Sequence, residues 1–324
     1  MLRFIAVRLA HAAAIVFLVA TLTFFLLHLA PGDPFTTFSE TTLVPPEVVE
    51  QQRRNFGLDQ PLYVQYARYL GNLVQGDFGY SFREHRPAAA AIASRIPATL
   101  TLAAAALIIA FGLGILTGAV QAARPGSRTD DALSIAALGL YSMPVFWLGV
   151  MLLMLFGVRL GWLPVGGIVD EAIYSYLSPL GRFANRLEHL VLPALTLGLV
   201  GAAVVARYQR AELLDVVHQD FIRTARAKGL SRTAVFVRHG LRNALLPIVT
   251  LFGLFFPLLL SGAVLVETVF AWPGMGKLAV DAINGRDYSV VTGIAIVAAA
   301  MVVLGNLIAD LLYRVVDPRT RGES

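Results

Sequence analysis

The sequence predicts an all-α integral membrane protein with six transmembrane helices. Of its 324 residues, 57% are hydrophobic and only 15% are charged, whereas about a quarter of an average soluble domain is charged. Six stretches lack Asp, Glu, Lys and Arg over 18 or more residues, and about 20 apolar residues in a helix cross a bilayer. These stretches are residues 9–32, 96–123, 132–158, 189–206, 243–266 and 288–309. They do not alternate apolar and polar side chains, so no β-barrel is expected.

Charge placement predicts the orientation of these helices. Arg3 and Arg8 precede a first apolar run that is longer than a signal-peptide core and has no cleavage site, so we expect a retained helix. The loops and ends on the N-terminal side hold 15 Lys and Arg residues. The opposite side holds 5 when residues 33–95 are set aside, because loops above about 60 residues have little orienting effect. Both termini are predicted to be cytoplasmic, and the net charge of +5 needs no nucleic-acid partner.

Two helices are expected in the long outer loop. One is predicted from Pro45 to about Gly57, with proline near its start as helices favour. The other covers residues 61–74 and is amphipathic, resting on the membrane interface or on the helix bundle. Its apolar face consists of Tyr63, Tyr66, Leu70 and Leu73. The predicted organisation is a first helix plus this loop over residues 1–95, a five-helix core over residues 96–316 and a cytoplasmic tail over residues 317–324.

The sequence contains no recognisable motif for binding ATP or a metal, for nucleophilic catalysis or for moving ions across a membrane. It has no cysteine and no metal-binding or nucleophile motif. The segment 272–277 is superficially like a phosphate-binding loop, but Ala271 replaces the first glycine and Leu278 the hydroxyl residue. The apolar stretches contain no acidic or basic relay, and we expect the ionisable residues at their ends to be solvated. These residues are His28, His189, Glu267 and Asp310. We therefore expect a chain that binds no cofactor and takes its energy from a partner.

The predicted inner loop over residues 207–242 is more structured than orientation requires. Strong helix formers fill residues 220–228, and Gly229 is placed to end that helix in a left-handed conformation. Ser231 can cap a second helix that runs towards Leu241 and Asn243. The element would carry the basic residues Arg223, Arg226, Lys228, Arg232, Arg238 and Arg242.

This element resembles the permease subunits of ATP-binding-cassette (ABC) importers, in particular the dipeptide, oligopeptide and nickel group. Arg223-Thr224-Ala225 stands where the general family signature has Glu-Ala-Ala, in the form typical of peptide-type members, and Gly229 follows at the family spacing. Leu241-Arg242 replaces the closing Leu-Pro of the general signature, which follows only at residues 246–247. The resemblance implies a helix that couples to a separate ATPase through Phe221, Arg223, Thr224, Ala225, Arg226, Lys228 and Gly229.

Further segments extend the resemblance over nearly the whole chain. In family order they are residues 24–34, 142–149, 160–166, 267–277, 281–283 and 286–288. Residues 167–188 match no motif, and a short charged segment between Leu180 and Glu188 is expected to form another surface piece. Pro144 is expected to bend the third helix, either as a packing kink or as part of a gate. Three glycines are expected to permit close helix approach, namely Gly112, Gly114 and Gly118.

The resemblance implies a type I ABC importer permease fold with the coupling helix between helices 4 and 5. The chain would pair with a second homologous permease subunit, as a heterodimer, and with two ATPases and an extracytoplasmic substrate-binding protein. The membrane would be the cytoplasmic membrane of a bacterium or archaeon. Glu267, Gly274 and Gly276 are expected at the outer mouth that meets the binding protein.

The sequence leaves alternatives open both for the transported solute and for the class of protein. Short peptides are the expected cargo, and nickel, glutathione or another small solute stays open because the binding protein largely sets substrate choice. An ion-coupled secondary carrier is a rival that the charge-free helices disfavour. A membrane enzyme or assembly factor is a further rival, disfavoured because no catalytic cluster is discernible in the sequence.

Cysteine labelling tests the predicted orientation, since the chain has no native cysteine. A cysteine at Ser39 should react with a membrane-impermeant thiol reagent in intact cells. A cysteine at Ser231 should react only after lysis. Labelling in the reverse pattern would overturn both the orientation and the assignment of the inner loop.

Overall fold

The computed structural model describes residues 2–29, 47, 51, 54, 59–81, 83–260 and 263–316. Outside this part of the chain lie Ser39 and the tail over residues 317–324. The predicted helix from Pro45 to Gly57 also lies outside it, apart from residues 47, 51 and 54. The helices of the described part are α1 Leu2–Leu29, α2 Leu62–Val74, α3 Ala88–Ala123, α4 Arg128–Ser142, α5 Val145–Leu152, α6 Pro179–Val217, α7 Asp220–Ala227, α8 Arg232–Ala234, α9 Arg242–Ala244, α10 Leu246–Leu260, α11 Val264–Val269, α12 Met275–Asn284 and α13 Tyr288–Val316. Strands β1 Tyr80–Ser81 and β2 Arg86–Pro87 pair antiparallel. Wider π-type turns cover Leu153–Arg159 and Val235–Leu241, and a 3-10 turn covers Tyr174–Tyr176.

In the part of the chain that the structure describes, the six predicted membrane stretches fall mainly on helices, but two of them are broken. Helices α1, α3, α6 and α13 are each long and apolar enough to cross a bilayer. Helix α4 and the segment Val145–Arg159 meet at 106°, and Arg232–Ala244 meets Pro247–Leu259 at 47°. The count reaches six when each bent pair is one span. Pro144 explains the sharper break, because proline pushes the preceding Met143 into extended backbone.

The chain divides into two compact units. The first comprises Met1–Pro97 and Gly274–Met301, and the second comprises Ala98–Pro273 and Val302–Ser324. The division that we predict from the sequence, with boundaries after residues 95 and 316, separates consecutive segments of the chain. The two compact units do not test it, so it stays a prediction.

In the first unit, α3, α12 and α13 share an apolar core. Ile92, Met275 and Val290 are almost fully buried in it. The hairpin formed by β1 and β2 is joined to the start of α13 by Asp287, whose Oδ2 accepts a hydrogen bond from Ser81 Oγ at 2.5 Å. The other carboxylate oxygen of Asp287 accepts from the Val290 backbone N–H at 3.3 Å and so caps α13.

Helix α2 forms as predicted and contacts α1 in the same unit. The Phe24 ring stacks on the Tyr69 ring with 5.3 Å between centroids, and the hydroxyls of Thr21 and Tyr66 are 2.8 Å apart. Burial, with a smaller contribution from Tyr66, raises the pKa of Tyr69 to about 12, so its hydroxyl stays protonated and donates to the Ala20 carbonyl. Tyr63 of the predicted apolar face is 75% exposed, whereas Tyr69, outside that face, contacts α1.

The second unit is built on a close contact between α3 and α6. A Cβ atom on Gly114 would lie 2.6 Å from Val205 Cβ, and one on Gly118 would lie 2.5 Å from the Ala206 carbonyl oxygen. Both distances are too short for real atoms, so the predicted close approach is confirmed at these two glycines. The prediction is wrong for Gly112, because a Cβ there would meet no atom within 4 Å.

Helix α6 contributes glycines of its own to this contact. A Cβ on Gly198 would lie 2.5 Å from Ile109 Cγ2, and one on Gly201 would lie 2.8 Å from Ala110 Cβ. The backbones of α3 and α6 therefore meet over several turns, with small residues supplied from both sides.

Helix α6 is far longer than the apolar stretch that it contains. Its 39 residues extend over roughly 58 Å, about twice the hydrocarbon thickness of a bilayer. The surface piece expected between Leu180 and Glu188 is confirmed as mostly exposed, and it is the first part of α6, which starts at Pro179 after the Ser178 cap. The solvation expected for His189 is wrong: it is only 7% exposed, and its Nδ1 is 2.8 Å from the Asn185 carbonyl oxygen. His28 is exposed as expected, and the side chain of Asp310 lies outside the described part of the chain.

Alanine substitutions at two glycines of α3 test the close contact. Alanine favours a helix over glycine by about 1 kcal/mol, so Gly112→Ala, in open space, should preserve or raise the thermal unfolding midpoint of the purified protein. Gly118→Ala should lower it, since overpacking costs about 1–3 kcal/mol. Equal midpoints for the two variants would show that α3 and α6 are not held at this distance.

Candidate functional site

The inner-loop element folds as the sequence predicts. Helix α7 begins at Asp220, whose negative charge suits a helix N-terminus. After its last residue, Ala227, the chain turns at Gly229, which has a φ of +83°. Ser231 then caps the next helix, because its Oγ accepts a hydrogen bond from the Ala234 backbone N–H at 3.3 Å. The helix, glycine turn and second helix are therefore confirmed as local structure.

One face of α7 anchors the helix to the second unit. Ile222 is fully buried and Ala225 is 6% exposed, three residues apart on the same face. They share an apolar cluster with Ala122, Leu213, Val216, Val235 and Ala244. Ala225 thus belongs to the anchoring face, and the coupling role expected for it stays a prediction.

The opposite face of α7 is exposed and basic. Phe221 is 38% exposed, and the exposed residues around it are Arg223, Thr224, Arg226, Lys228 and Gly229. Arg223 Nη1 lies 3.3 Å from Asp220 Oδ1, but both side chains are mostly in solvent, so this ion pair contributes little. Arg226 and Lys228 form no ion pair with any described residue. The face can therefore offer an aromatic ring and unmatched positive charge to an acidic, partly apolar groove.

The predicted outer residue Glu267 is buried in the second unit. Its side chain has no exposed surface, and Oε1 accepts a hydrogen bond from Thr99 Oγ1 at 3.0 Å. The following turn is equally buried: Trp272 Nε1 donates to the Ala98 carbonyl at 2.9 Å, and its backbone N–H donates to the Glu267 carbonyl at 2.8 Å. The expectation that Glu267 is solvated at the end of a span is therefore wrong. The residue joins α11 to α3.

Gly274 and Gly276 belong to the other unit and do not form an exposed loop. Gly274 precedes α12, and Gly276 lies in its first turn. Both are buried, next to Met275, which is fully buried against α3 and α13. Neither glycine offers a surface in this structure, and the outer-mouth role suggested for the three residues stays a prediction.

Sequence reasoning missed a buried ion pair near the start of α4. Arg210 Nε and Nη2 donate to the two carboxylate oxygens of Asp130, each at 2.7 Å. Asp130 is 2% exposed and also accepts from the Gly126 backbone N–H at 3.0 Å, while its own N–H donates to Ser127 Oγ at 3.2 Å. The Ser-x-x-Asp pattern signals this helix start. No sequence signal indicates a partner 80 residues away.

Comparisons with known proteins agree with this architecture. The family model described as "Binding-protein-dependent transport system inner membrane component" matches residues 110–322, and the corresponding N-terminal model matches residues 1–103. The di/tripeptide transport system permease protein DppB of Pseudomonas aeruginosa is 43% identical, with 99% of both chains covered. The oligopeptide transport system permease protein AppB of Bacillus subtilis is 42% identical over 93% of both chains. The glutathione transport system permease protein GsiC of Escherichia coli is 42% identical over 99% of both.

A solved structure shares the fold. An inward-facing form of the MetNI methionine ABC transporter matches with a TM-score of 0.55 at 18% identity, covering 70% of this chain and 96% of that chain. The likeness confirms the predicted type I ABC importer permease fold and, at this identity, shows the fold alone; the coupling role of α7 stays a prediction. With both family models and the full-length relatives taken together, the chain belongs to the binding-protein-dependent transport system inner membrane components, the multi-pass permease subunits of ABC importers.

Proposed function

We propose that this chain forms half of the translocation path of an ATP-driven importer of short peptides. The observation that carries the cargo class is the set of full-length relatives, whose names specify di- and tripeptides, oligopeptides and the tripeptide glutathione. The family favours this function over an ion-coupled secondary carrier, since its description refers to a transport system that depends on a binding protein.

The proposed complex contains a second, homologous permease subunit, two ATPase subunits and an extracytoplasmic substrate-binding protein. This chain binds no cofactor and catalyses no reaction, and ATP is hydrolysed on the ATPase subunits. Both termini lie in the cytoplasm, which places α7 on the side of the ATPases. The exposed basic face of α7 and its buried anchor support this arrangement, because a rigidly mounted helix can transmit a movement.

Reconstitution tests the cargo and the partners together. The chain is co-expressed with candidate ATPase, permease and binding-protein genes of the same genome, and the complex is purified without crosslinking. We expect an ATPase to co-purify at fixed stoichiometry and proteoliposomes to accumulate a radiolabelled dipeptide only with ATP and the binding protein. Accumulation driven by an ion gradient without ATP would contradict the proposal, and uptake of nickel but not of peptide would contradict the cargo.

Substitutions at Gly229 test the coupling helix. A Cβ at this position meets no atom within 4 Å, so Gly229→Val acts through the backbone, whose positive φ costs a β-branched residue roughly 1–2 kcal/mol. We expect normal membrane abundance, weaker ATPase association, and loss of transport and of substrate-stimulated ATP hydrolysis. Gly229→Asn is the matched control, because asparagine tolerates this conformation. Wild-type transport by Gly229→Val would reduce the segment to an ordinary basic loop.

Reversing a charge on the exposed face of α7 tests how much electrostatic attraction contributes to binding of the ATPase. Arg226→Glu replaces an unpaired cation with an anion and leaves the apolar anchor intact. Assembly with the ATPase should weaken more at low salt than at high salt, because ions screen exposed charges. Binding affinity measured at several salt concentrations checks this, and an effect independent of salt would argue against an acidic groove.

Substitutions at Thr99 test whether Glu267 joins α11 to α3. Thr99→Val removes the hydroxyl that donates to the buried carboxyl group and should destabilise the protein by about 1–3 kcal/mol. Thr99→Ser keeps the hydroxyl and should behave nearly as the wild type in thermal unfolding in detergent. If Glu267→Gln abolishes transport at unchanged stability, Glu267 acts in transport itself, as the sequence first suggested.

A further inference from the structure

A cavity of about 550 Å³ lies between α4 and α6 in the second unit. One end is polar and is lined by Ser134, Arg207 and Arg210. The other end is mainly apolar and is lined by Ala137, Leu138 and Val204, with Tyr141 beside them. None of these residues belongs to α7 or to the Glu267 contact.

The polar end of the cavity lies where the helices leave the bilayer. Asp131 is the last charged residue before the apolar stretch on α4, and Arg207 is the first charged residue after the apolar stretch on α6. Both boundaries belong to the same membrane surface, because α4 and α6 run in opposite directions along the cavity. The apolar end therefore lies at hydrocarbon depth and the polar end at headgroup level, whichever side of the membrane this surface faces.

One positive charge at the polar end, that of Arg207, has no partner among the described residues. Arg210 is matched by its two hydrogen bonds to Asp130, and the exposed Asp131 also acts on Arg210. Arg207 is exposed, and its guanidinium group makes no hydrogen bond or ion pair with any described residue. One guanidinium group is thus left to bind an anion, and its planar donor pairs suit a phosphate group.

We propose that this cavity binds an anionic phospholipid of the surrounding bilayer. The lipid phosphate pairs with Arg207, and an acyl chain lies along Ala137, Leu138 and Val204. A free phosphate ion would leave the apolar wall uncovered, and a zwitterionic lipid would bring a cation towards Arg207 and Arg210. Basic sites between membrane helices at headgroup level are a recurrent mode of anionic lipid binding. The proposal requires only that the helices lie in a bilayer and does not rest on the proposed cargo.

Lipid retention measured by native mass spectrometry tests the charged end. The full-length chain, with the subunits that co-purify with it, is titrated with dioleoyl phosphatidylglycerol or with dioleoyl phosphatidylcholine. We expect tighter retention of the phosphatidylglycerol, and roughly fivefold weaker retention of it by Arg207→Gln. Arg124→Gln is the matched control: it removes the same charge from an exposed arginine outside the cavity and should leave retention unchanged.

A second pair of variants tests the apolar end without changing any charge. Ala137→Phe fills the cavity wall and should also weaken phosphatidylglycerol retention. Ala136→Phe, on the exposed surface of the same helix and outside the cavity, should not. The thermal unfolding midpoint of each variant shows whether it is folded. If Ala137→Phe does not fold, the comparison of Arg207→Gln with Arg124→Gln decides the proposal.

Five results would overturn the proposal. Equal losses in Arg207→Gln and Arg124→Gln would reduce the effect to general surface attraction, and equal retention of the two lipids would exclude a charged site. Displacement of the lipid by an equal concentration of inorganic phosphate would identify a site for free phosphate. Displacement by a dipeptide would place the cavity in the substrate path. Absence of any retained lipid would show that another subunit covers this face.

Discussion

The close contact between α3 and α6 is the constraint on which the second unit depends. Gly114 and Gly118 on α3 lie so near to α6 that a single methyl group at either position would overlap backbone or Cβ atoms. In a bilayer the hydrophobic effect does not drive helices together, so van der Waals contact between small residues supplies much of the attraction. Gln209 is fully buried at this contact, near Gly118. Its side-chain amide has no hydrogen-bond partner in the described chain. Close packing must offset the cost of about 1–3 kcal/mol that such a group carries.

This contact positions the functional element at the far end of α6. The helix continues past the apolar stretch as far as Val217, and its last turns supply Leu213 and Val216 to the apolar cluster beneath α7. The end of α6 and the base of α7 therefore share one apolar cluster. The basic face stays free because only Ile222 and Ala225 are used for anchoring. An amphipathic helix of eight residues is thus held by one face and open to a partner on the other.

Buried polar groups mark where separate segments of the second unit are joined. Glu267 joins α11 to α3 through Thr99, and Asp130 joins the start of α4 to α6 through Arg210. A carboxyl group in such surroundings must be paired, because an unpaired charge away from water is far more costly than any single contact could offset. Each residue is therefore informative about tertiary structure, although both stand next to apolar stretches where solvated residues are also common.

The amino-acid sequence by itself determined the membrane class, the six apolar stretches and the helix–glycine–helix element, because these depend on composition, on run length and on the local chemistry of Gly229 and Ser231. Family membership followed from motifs whose residues are contiguous. Only the tertiary structure decided which residues are buried: Ala225 rather than Arg226 in the anchor, Gly114 but not Gly112 at the helix contact, and Glu267 in the interior. The distinction is physical. Local backbone preferences are encoded within a few residues, whereas burial and ion pairing depend on which distant segments the fold brings together, as it does for Asp130 and Arg210.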